Sequence, residues 1–274
     1  MVDGCVLLAS VQTETTDGTH MPRFSANISI LFNELPFLDR FAAAKAAGFD
    51  AVECWFPGEH PRAEITSRLD ALGLTMVGIN TTAGSAGEWG LAAVPGREAA
   101  FRDSLLLALD QAASFKCRAI HVMAGLATPA TYDSAWRTYV ENLTYAVQQA
   151  RGTGVQLLVE PLNHHDRPGY ALSTVQQAAA LVGDGLDDLR IMFDCYHVAR
   201  AGGPVLTQMQ EVWPLIGHIQ IAGVPDRGSP AEGTVDYREI FAEIDRLGWP
   251  GWVGAEYQAA GPSADSLGWM RATA

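Results

Sequence analysis

Four side chains able to hold a hard cation stand on consecutive apolar runs in the C-terminal half of the chain. Leu157-Leu158-Val159 leads into Glu160, Ile191-Met192-Phe193 into Asp194 and Val253-Gly254-Ala255 into Glu256, while His218-Ile219-Gln220-Ile221 carries an amide. Carboxylates that converge among apolar neighbours raise one another's pKa values, and a divalent cation removes that conflict. The expected ligand set is therefore Glu160, Asp194, Gln220 (through its amide oxygen) and Glu256. All-oxygen donors suit Mg²⁺ or Mn²⁺ better than zinc. Three negative charges against two leave the site slightly anionic, which suits a carboxylate that moves protons. One acidic residue after a strand is most often a helix N-cap or a loop residue; four in register on adjacent strands ask for a common purpose.

Other polar and aromatic residues fall at the same level of the chain. His197, in Asp194-Cys195-Tyr196-His197, either directs an imidazole at a substrate oxygen or starts a helix packed on Tyr196. His121 faces substrate or is a core histidine with its hydrogen bonds met. Trp55 and Phe56 wall a pocket or belong to the core, and Glu53 reads as a supporting carboxylate. Arg227 anchors a carboxylate or hydroxyls, or is a solvated surface arginine. The reading adopted takes His197, Arg227, His121 and Trp55 as substrate-binding. The chain's two lysines, Lys45 and Lys116, fall in or at the ends of helical stretches, which argues against a Schiff base. Cys5, Cys54, Cys117 and Cys195 lie far apart with no CxxC and read as free thiols in a reducing compartment.

Short apolar runs that alternate with amphipathic stretches must position these groups. The spacing predicts strands at Ser25–Leu31, Ala51–Trp55, Thr75–Asn80, Ala119–Met123, Val155–Glu160, Arg190–Asp194, His218–Ala222 and Gly251–Glu256, several rich in β-branched residues as buried parallel strands are. Helical periodicity covers Leu35–Ala47, Ala63–Leu72, Arg97–Phe115, Tyr132–Arg151, Ser173–Val182 and Tyr237–Leu247. Gly48, Gly73, Gly154, Gly217 and Gly248 read as helix stops, and Ser173 and Asp236 as helix starts. Eight strands mostly separated by helices in roughly 250 residues indicate an α/β fold, a single (β/α)₈ TIM barrel over residues 21–274. An open doubly wound sheet is the runner-up, but no GxGxxG follows the first strand. The loop from Thr81 to Pro95 is long enough to form part of a lid. Residues 1–20 carry no period and read as a disordered extension or leader.

Composition narrows the partners. Of 274 residues, 48% are hydrophobic and 18% charged, which excludes a disordered or fibrous chain. No apolar run approaches the length of a membrane span, and without an export signal the cytoplasm is the expected location. The net charge of −13 would repel phosphodiester backbones and anionic membranes, so neither nucleic acid nor membrane is an expected partner; part of the apolar content is available to a homo-oligomer interface.

The chain resembles the hydroxypyruvate isomerase family of xylose isomerase-like TIM barrels over most of Phe24 to Trp269. The resemblance is carried by Phe37-Leu38-Asp39-Arg40-Phe41 with Gly48-Phe49, Pro95-Gly96-Arg97-Glu98, Glu160-Pro161-Leu162-Asn163 and Pro168-Gly169-Tyr170. It continues through Phe193-Asp194-Cys195-Tyr196-His197, Gly217-His218-Ile219-Gln220-Ile221-Ala222 and Gly254-Ala255-Glu256-Tyr257. It implies a metal on Glu160, Asp194, Gln220 and Glu256, acid/base roles for Glu160 and Glu256, substrate contacts at His197 and Arg227, and a place in carbohydrate metabolism. The sequence departs from the family pattern at His165, Ala199, Gly228-Ser229-Pro230 and Gly233-Thr234. The expected reaction is metal-dependent isomerisation of a small α-hydroxycarbonyl compound by enediolate proton transfer, with hydroxypyruvate and tartronate semialdehyde the leading pair. A 2-oxo-tetronate isomerase or a ketose epimerase would use the same site; a polyol dehydratase, a nuclease acting on abasic DNA or a non-catalytic binder fit less well. No glycine-rich turn follows the last strand to cradle a phosphate.

Overall fold

A computed structural model describes residues 21–270 except 184, 185 and 187, and the expectation for residues 1–20 lies outside it. Eight strands, β1 (Arg23–Asn27), β2 (Ala51–Glu53), β3 (Thr75–Asn80), β4 (Ala119–His121), β5 (Gln156–Val159), β6 (Leu189–Asp194), β7 (Ile216–Ile221) and β8 (Trp252–Ala255), pair in parallel and in chain order. Pairing of β1 with β8, Phe24 opposite Val253 and Ala26 opposite Ala255, closes the barrel.

The helices between strands are α1 (Arg40–Ala46), α2 (Arg62–Leu72), α3 (Glu98–Phe115), α4 (Tyr132–Ala150), α5 (Val175–Gly183), α6 (Cys195–Arg200), α7 (Val205–Val212) and α8 (Tyr237–Arg246). On α8, Tyr237, Ile240, Phe241 and Ile244 are buried, a stripe at helical spacing that faces the sheet. Phe241 meets Phe24 of β1 edge-on at 5.1 Å, and Trp269 packs on Phe24 at 4.8 Å. Burial of each such side chain stabilises the fold by about 1.5–3 kcal/mol. Asp236 caps α8 by accepting from the Arg238 N–H, as expected.

Three local readings change. The start of α5 is a capping box on Thr174 rather than Ser173: Thr174 Oγ1 accepts the Gln177 N–H at 3.2 Å, and Gln177 Oε1 accepts the Thr174 N–H at 3.0 Å. A threonine three residues before a glutamine makes both bonds, which Ser173 is one residue too early to do. Gly217 is no helix stop but lies inside β7, where a Cβ would sit 2.5 Å from Arg190 Cβ; the glycine permits close strand approach. The helices α6 and α7, too short to carry a long apolar period, were not legible in the sequence.

The segment after β3 is pinned to the barrel. Ala92 and Ala93 donate backbone N–H groups to Met123 O and Ala124 O, the Asn142 amide donates to Ala92 O, and Gly90 bridges to Ala124. Leu91, Ala92 and Ala93 are buried. It forms a fixed wall of the barrel mouth. Gly90 has φ +125°, and a Cβ there would stand 2.4 Å from Met123 O. Gly90→Ala is therefore expected to cost about 2 kcal/mol, read as a lower urea midpoint with an unchanged m value.

Candidate active site

The alternation of β7 sends His218 and Gln220 to the barrel interior while Ile219 and Ile221 face the helices. Below the mouth, Glu53 at the end of β2 is buried among donors. His218 Nε2 lies 2.6 Å from its Oε2, and Gln220 Nε2 donates to Oε1 at 2.8 Å; the Ser25 hydroxyl and Asn27 amide are each 3.4 Å away. Gly254 makes the room, since a Cβ there would meet Glu53 Oε1 at 2.6 Å. Burial opposes the charge on Glu53, but His218 and the hydrogen bonds outweigh it and hold the carboxyl below its usual range. The His218 imidazole rises in turn: burial works against its charge, and Glu53 overcomes it. Glu53 and His218 thus form a buried ion pair, giving Glu53 the supporting role expected.

Glu256 leaves β8 into the layer above. Its carboxylate accepts from Arg227 Nη2 at 2.7 Å, Asn27 Nδ2 at 3.0 Å, Trp55 Nε1 at 3.2 Å and Gln220 Nε2. Both Gln220 amide hydrogens are thereby committed to Glu53 and Glu256, and its Oε1 is buried without a partner. Arg227 also reaches Asp194 Oδ2 at 3.3 Å. Its backbone is left-handed, φ +55°, and is held there by a Gly223–Gly228 bridge and by the Gln258 N–H on Arg227 O at 2.8 Å. Strain at a bulky residue persists where the surroundings over-determine it.

Asp194 turns its two oxygens to different partners. Oδ1 caps α6 by accepting the Tyr196 N–H at 2.8 Å, while Oδ2 faces Arg227 and His197. Glu160, just beyond β5, lies between two histidines, with His121 Nδ1 3.4 Å from Oε2 and His197 Nε2 3.8 Å from Oε1. The Asn163 backbone N–H donates to His197 Nδ1 at 3.2 Å. Nδ1 is therefore unprotonated, and since burial keeps the ring neutral, its proton sits on Nε2. His197 faces the site as a donor. Burial likewise pushes His121 down to about 3, and its Nε2 has no partner.

The sequence-predicted site residues converge, although Asp194 and Gln220 do not line the cavity itself and instead touch Arg227 and Glu256. Glu160, His121, His197, Arg227, Glu256, Trp55 and Phe56 line a cavity of about 60 Å³ together with Asn80, Trp89, Met123, Leu162 and Arg167. This is roughly the room of four or five waters. Larger hollows, about 330 Å³ beside Arg151 and Asp188 and about 690 Å³ along α3, bring no comparable carboxylate cluster together. Burial first, then neighbouring negative charge, raises Glu160 well above the carboxylate range and Glu256 to about 7; Asp194 is raised by burial against the pull of Arg227. A buried carboxylate cluster, an orphaned amide oxygen and ligand atoms of Glu160, Asp194 and His197 within 4.8 Å of one another fit a divalent cation. Because His197 presents N–H rather than a lone pair, the oxygens of Glu160, Asp194, Gln220 and Glu256 are the better donor set.

Sequence reasoning passed over the structural roles of Asn27, His218, Asn163, Trp89 and Arg167. His218 had a signal, two residues before Gln220 on the same strand face; Arg167 had none. The residues that depart from the family pattern do not line the cavity: His165 lies against His164 with ring centroids 3.9 Å apart and the rings tilted by 38°, Ala199 packs on the core and Ser229 is buried beside Ser266. Lys45 and Lys116 lie on the surface, paired with Asp50 and Asp70. Cys54, Cys117 and Cys195 are free and buried, and burial raises their thiols, which keeps them inert.

A carboxyl whose pKa rises on folding costs nothing below about pH 4.5, where both states keep the proton. The cost grows with pH above that, as the unfolded chain ionises and the folded site resists. Metal-free Glu160→Gln is therefore expected to melt higher than the unsubstituted protein at pH 7.5, by about 3 °C or more, with the difference vanishing near pH 4.5. Added Mn²⁺ should stabilise the unsubstituted protein more than the variant, as read by calorimetry.

The pattern of the xylose isomerase-like TIM barrel family matches residues 41–273. A 2-oxo-tetronate isomerase of Cupriavidus necator is 47% identical over 92% of this chain and 98% of its own. The hydroxypyruvate isomerase of Escherichia coli is 39% identical over 91% of this chain and 98% of its own. Among solved structures, an AP endonuclease, family 2, from Brucella melitensis superposes with a TM-score of 0.89 at 37% identity, covering 92% of this chain and 99% of that one. With its closed barrel, its buried acidic centre and these relatives, the chain belongs to the xylose isomerase-like TIM barrel family, in the branch that holds hydroxypyruvate and 2-oxo-tetronate isomerases.

Proposed function

We propose that this protein is a divalent-metal-dependent isomerase of small hydroxy-oxo acids that moves a proton between adjacent carbons. The observation that carries the reading is the placement of Glu160 and Glu256, both held against ionisation by burial, on one cavity of about 60 Å³. Such a cavity suits an acyclic acid of three or four carbons. Identity of 47% to a 2-oxo-tetronate isomerase, against 39% to a hydroxypyruvate isomerase, favours the four-carbon acid, with hydroxypyruvate the shorter alternative.

Glu160, Asp194, Gln220 and Glu256 would hold Mg²⁺ or Mn²⁺. When bound, the cation supplies Lewis-acid charge to the substrate's carbonyl and neighbouring hydroxyl oxygens. One glutamate takes the proton from the hydroxyl-bearing carbon, the other delivers a proton to the neighbouring carbonyl carbon, and the hydroxyl proton passes to the former carbonyl oxygen. A pKa of about 7 for Glu256 is near the value at which an acid/base group works best at neutral pH. The His197 Nε2–H donates to the substrate oxygen on which negative charge develops. Trp55 orients Glu256 through its indole N–H and, with Phe56, excludes water from the reacting carbons; His121 lines the opposite wall. Arg227 keeps Glu256 and Asp194 in place.

The net charge of −13 supports this reading over a nuclease acting on abasic DNA. No described helix is long and apolar enough to cross a membrane. The reading places the enzyme in the cytoplasm, in carbohydrate metabolism. The adjacent exposed leucines Leu106 and Leu107 on α3 support self-association.

Proton NMR of the protein with Mg²⁺ or Mn²⁺ in deuterated water tests the reaction on hydroxypyruvate and 2-oxo-tetronate. Metal-dependent product with deuterium at the carbon that receives the proton is expected. Glu256→Gln should keep substrate affinity within a few-fold and lose about 10²–10⁴ in turnover. Absence of exchange with either acid, in protein shown to hold metal, would sink the proposal.

A further inference from the structure

A hydroxy-oxo acid carries a full negative charge into a cavity already lined by carboxylates, so some cation must receive it. Among the described residues, the arginines lining the cavity are Arg227 and Arg167. Arg227 is committed, with Glu256 at 2.7 Å, Asp194 at 3.3 Å and the Glu256 carbonyl at 3.3 Å. Both histidines on the wall already face Glu160. Arg167 differs from all of these. No described carboxylate lies within ion-pair distance of it, and its guanidinium makes one hydrogen bond, from Nη1 to Asp166 O at 2.7 Å.

What holds Arg167 is an aromatic face. Its Cζ lies 3.6 Å from the ring centroid of Trp89, a stacking distance that leaves the in-plane N–H groups free to bind a carboxylate edge-on. Trp89 is itself positioned at a cost. Its φ of +57° is left-handed for a bulky residue, and the Gly90 N–H on Ala83 O at 2.8 Å and the Gly90–Ala124 bridge hold it so. Strain kept at a cavity mouth by pinned backbone points to a positioning task. On the other side, Arg167 N donates to Asn163 O at 3.0 Å, and the same Asn163 orients His197. One loop therefore sets both the His197 donor and the guanidinium.

We propose that Arg167, stacked on Trp89 at the mouth of the cavity, binds the substrate's carboxylate and selects oxo-acids over neutral ketoses of equal length. The inference rests on the isomerase reading above and adds the residue that sets its substrate class. Stacking on a rigid indole pre-organises the guanidinium, so little side-chain freedom is lost when the acid binds. The carboxylate end of the substrate then lies toward Trp89, with its carbonyl and hydroxyl toward Glu160 and Glu256.

The test compares hydroxypyruvate with dihydroxyacetone, which carries CH₂OH in place of the carboxylate. Affinity for each is measured by calorimetry on the Mg²⁺-loaded protein, alongside KM and kcat for hydroxypyruvate. Arg167→Met is expected to reduce the acid-to-ketose affinity ratio at least tenfold, chiefly through KM. Arg167→Lys, which keeps the charge without the fork, should recover part of that loss. A ratio unchanged in Arg167→Met would overturn the inference while leaving the isomerase reading intact. An unsubstituted protein that binds dihydroxyacetone as tightly as hydroxypyruvate would overturn both the inference and the acid specificity of that reading.

Discussion

A carboxylate buried at the centre of a closed barrel must be answered by donors from the strands around it, and the site is organised by that requirement at Glu53. His218 neutralises it, Ser25, Asn27 and Gln220 hydrogen-bond it, and Gly254 vacates the volume it occupies. An unpaired charge there would cost several kcal/mol. The consequence is felt one layer higher. With one Gln220 hydrogen spent on Glu53 and the other on Glu256, the amide can only turn its oxygen to the remaining space. Glu53 thus decides the polarity of Gln220 without lining the cavity.

Above this base, the site is a balance of like charges. Glu160, Asp194 and Glu256 are each disfavoured as anions by burial and by one another, and Arg227 offsets part of that repulsion. Histidine is kept out of the ionic accounting: Asn163 fixes the tautomer of His197, and burial keeps His121 neutral. A centre built in this way has an excess of oxygen donors and a shortage of positive charge, the condition under which a divalent cation is taken up. Proton transfer needs that environment too, because a carboxylate held near neutral pKa can both give and take a proton.

The mouth is made by backbone rather than by mobile side chains. The segment after β3 is stitched to Ala124, and the loop after β7 is closed by its Gly223–Gly228 bridge. Gly90, Gly223 and Gly233 allow approaches that any Cβ would block. Two non-glycine residues with left-handed backbone, Trp89 and Arg227, stand at the ends of these stitched segments, and both face the cavity. Rigid loops on a rigid barrel hold a small polar site to a narrow geometry, which is what discrimination among acids of three or four carbons requires.

The order of the strands, the barrel and the convergence of Glu160, Asp194, Gln220 and Glu256 were legible because each is local. An apolar run ending in a polar residue states which side chain reaches the end of a strand, and eight such runs state that the ends meet. Asp236 as a cap and His197 near these carboxylates were readable for the same reason. Three things were not. The role of Glu53 depends on His218, 165 residues away; the tautomer of His197 depends on Asn163 from another strand's loop; and the pairing of Arg167 with Trp89 joins two loops with no shared pattern. The sequence by itself determined which groups arrive at the barrel mouth, since arrival follows from strand period and length. Only the tertiary structure decided which of them are paired, protonated or left free to bind, because each of those states is set by neighbours brought from elsewhere in the chain.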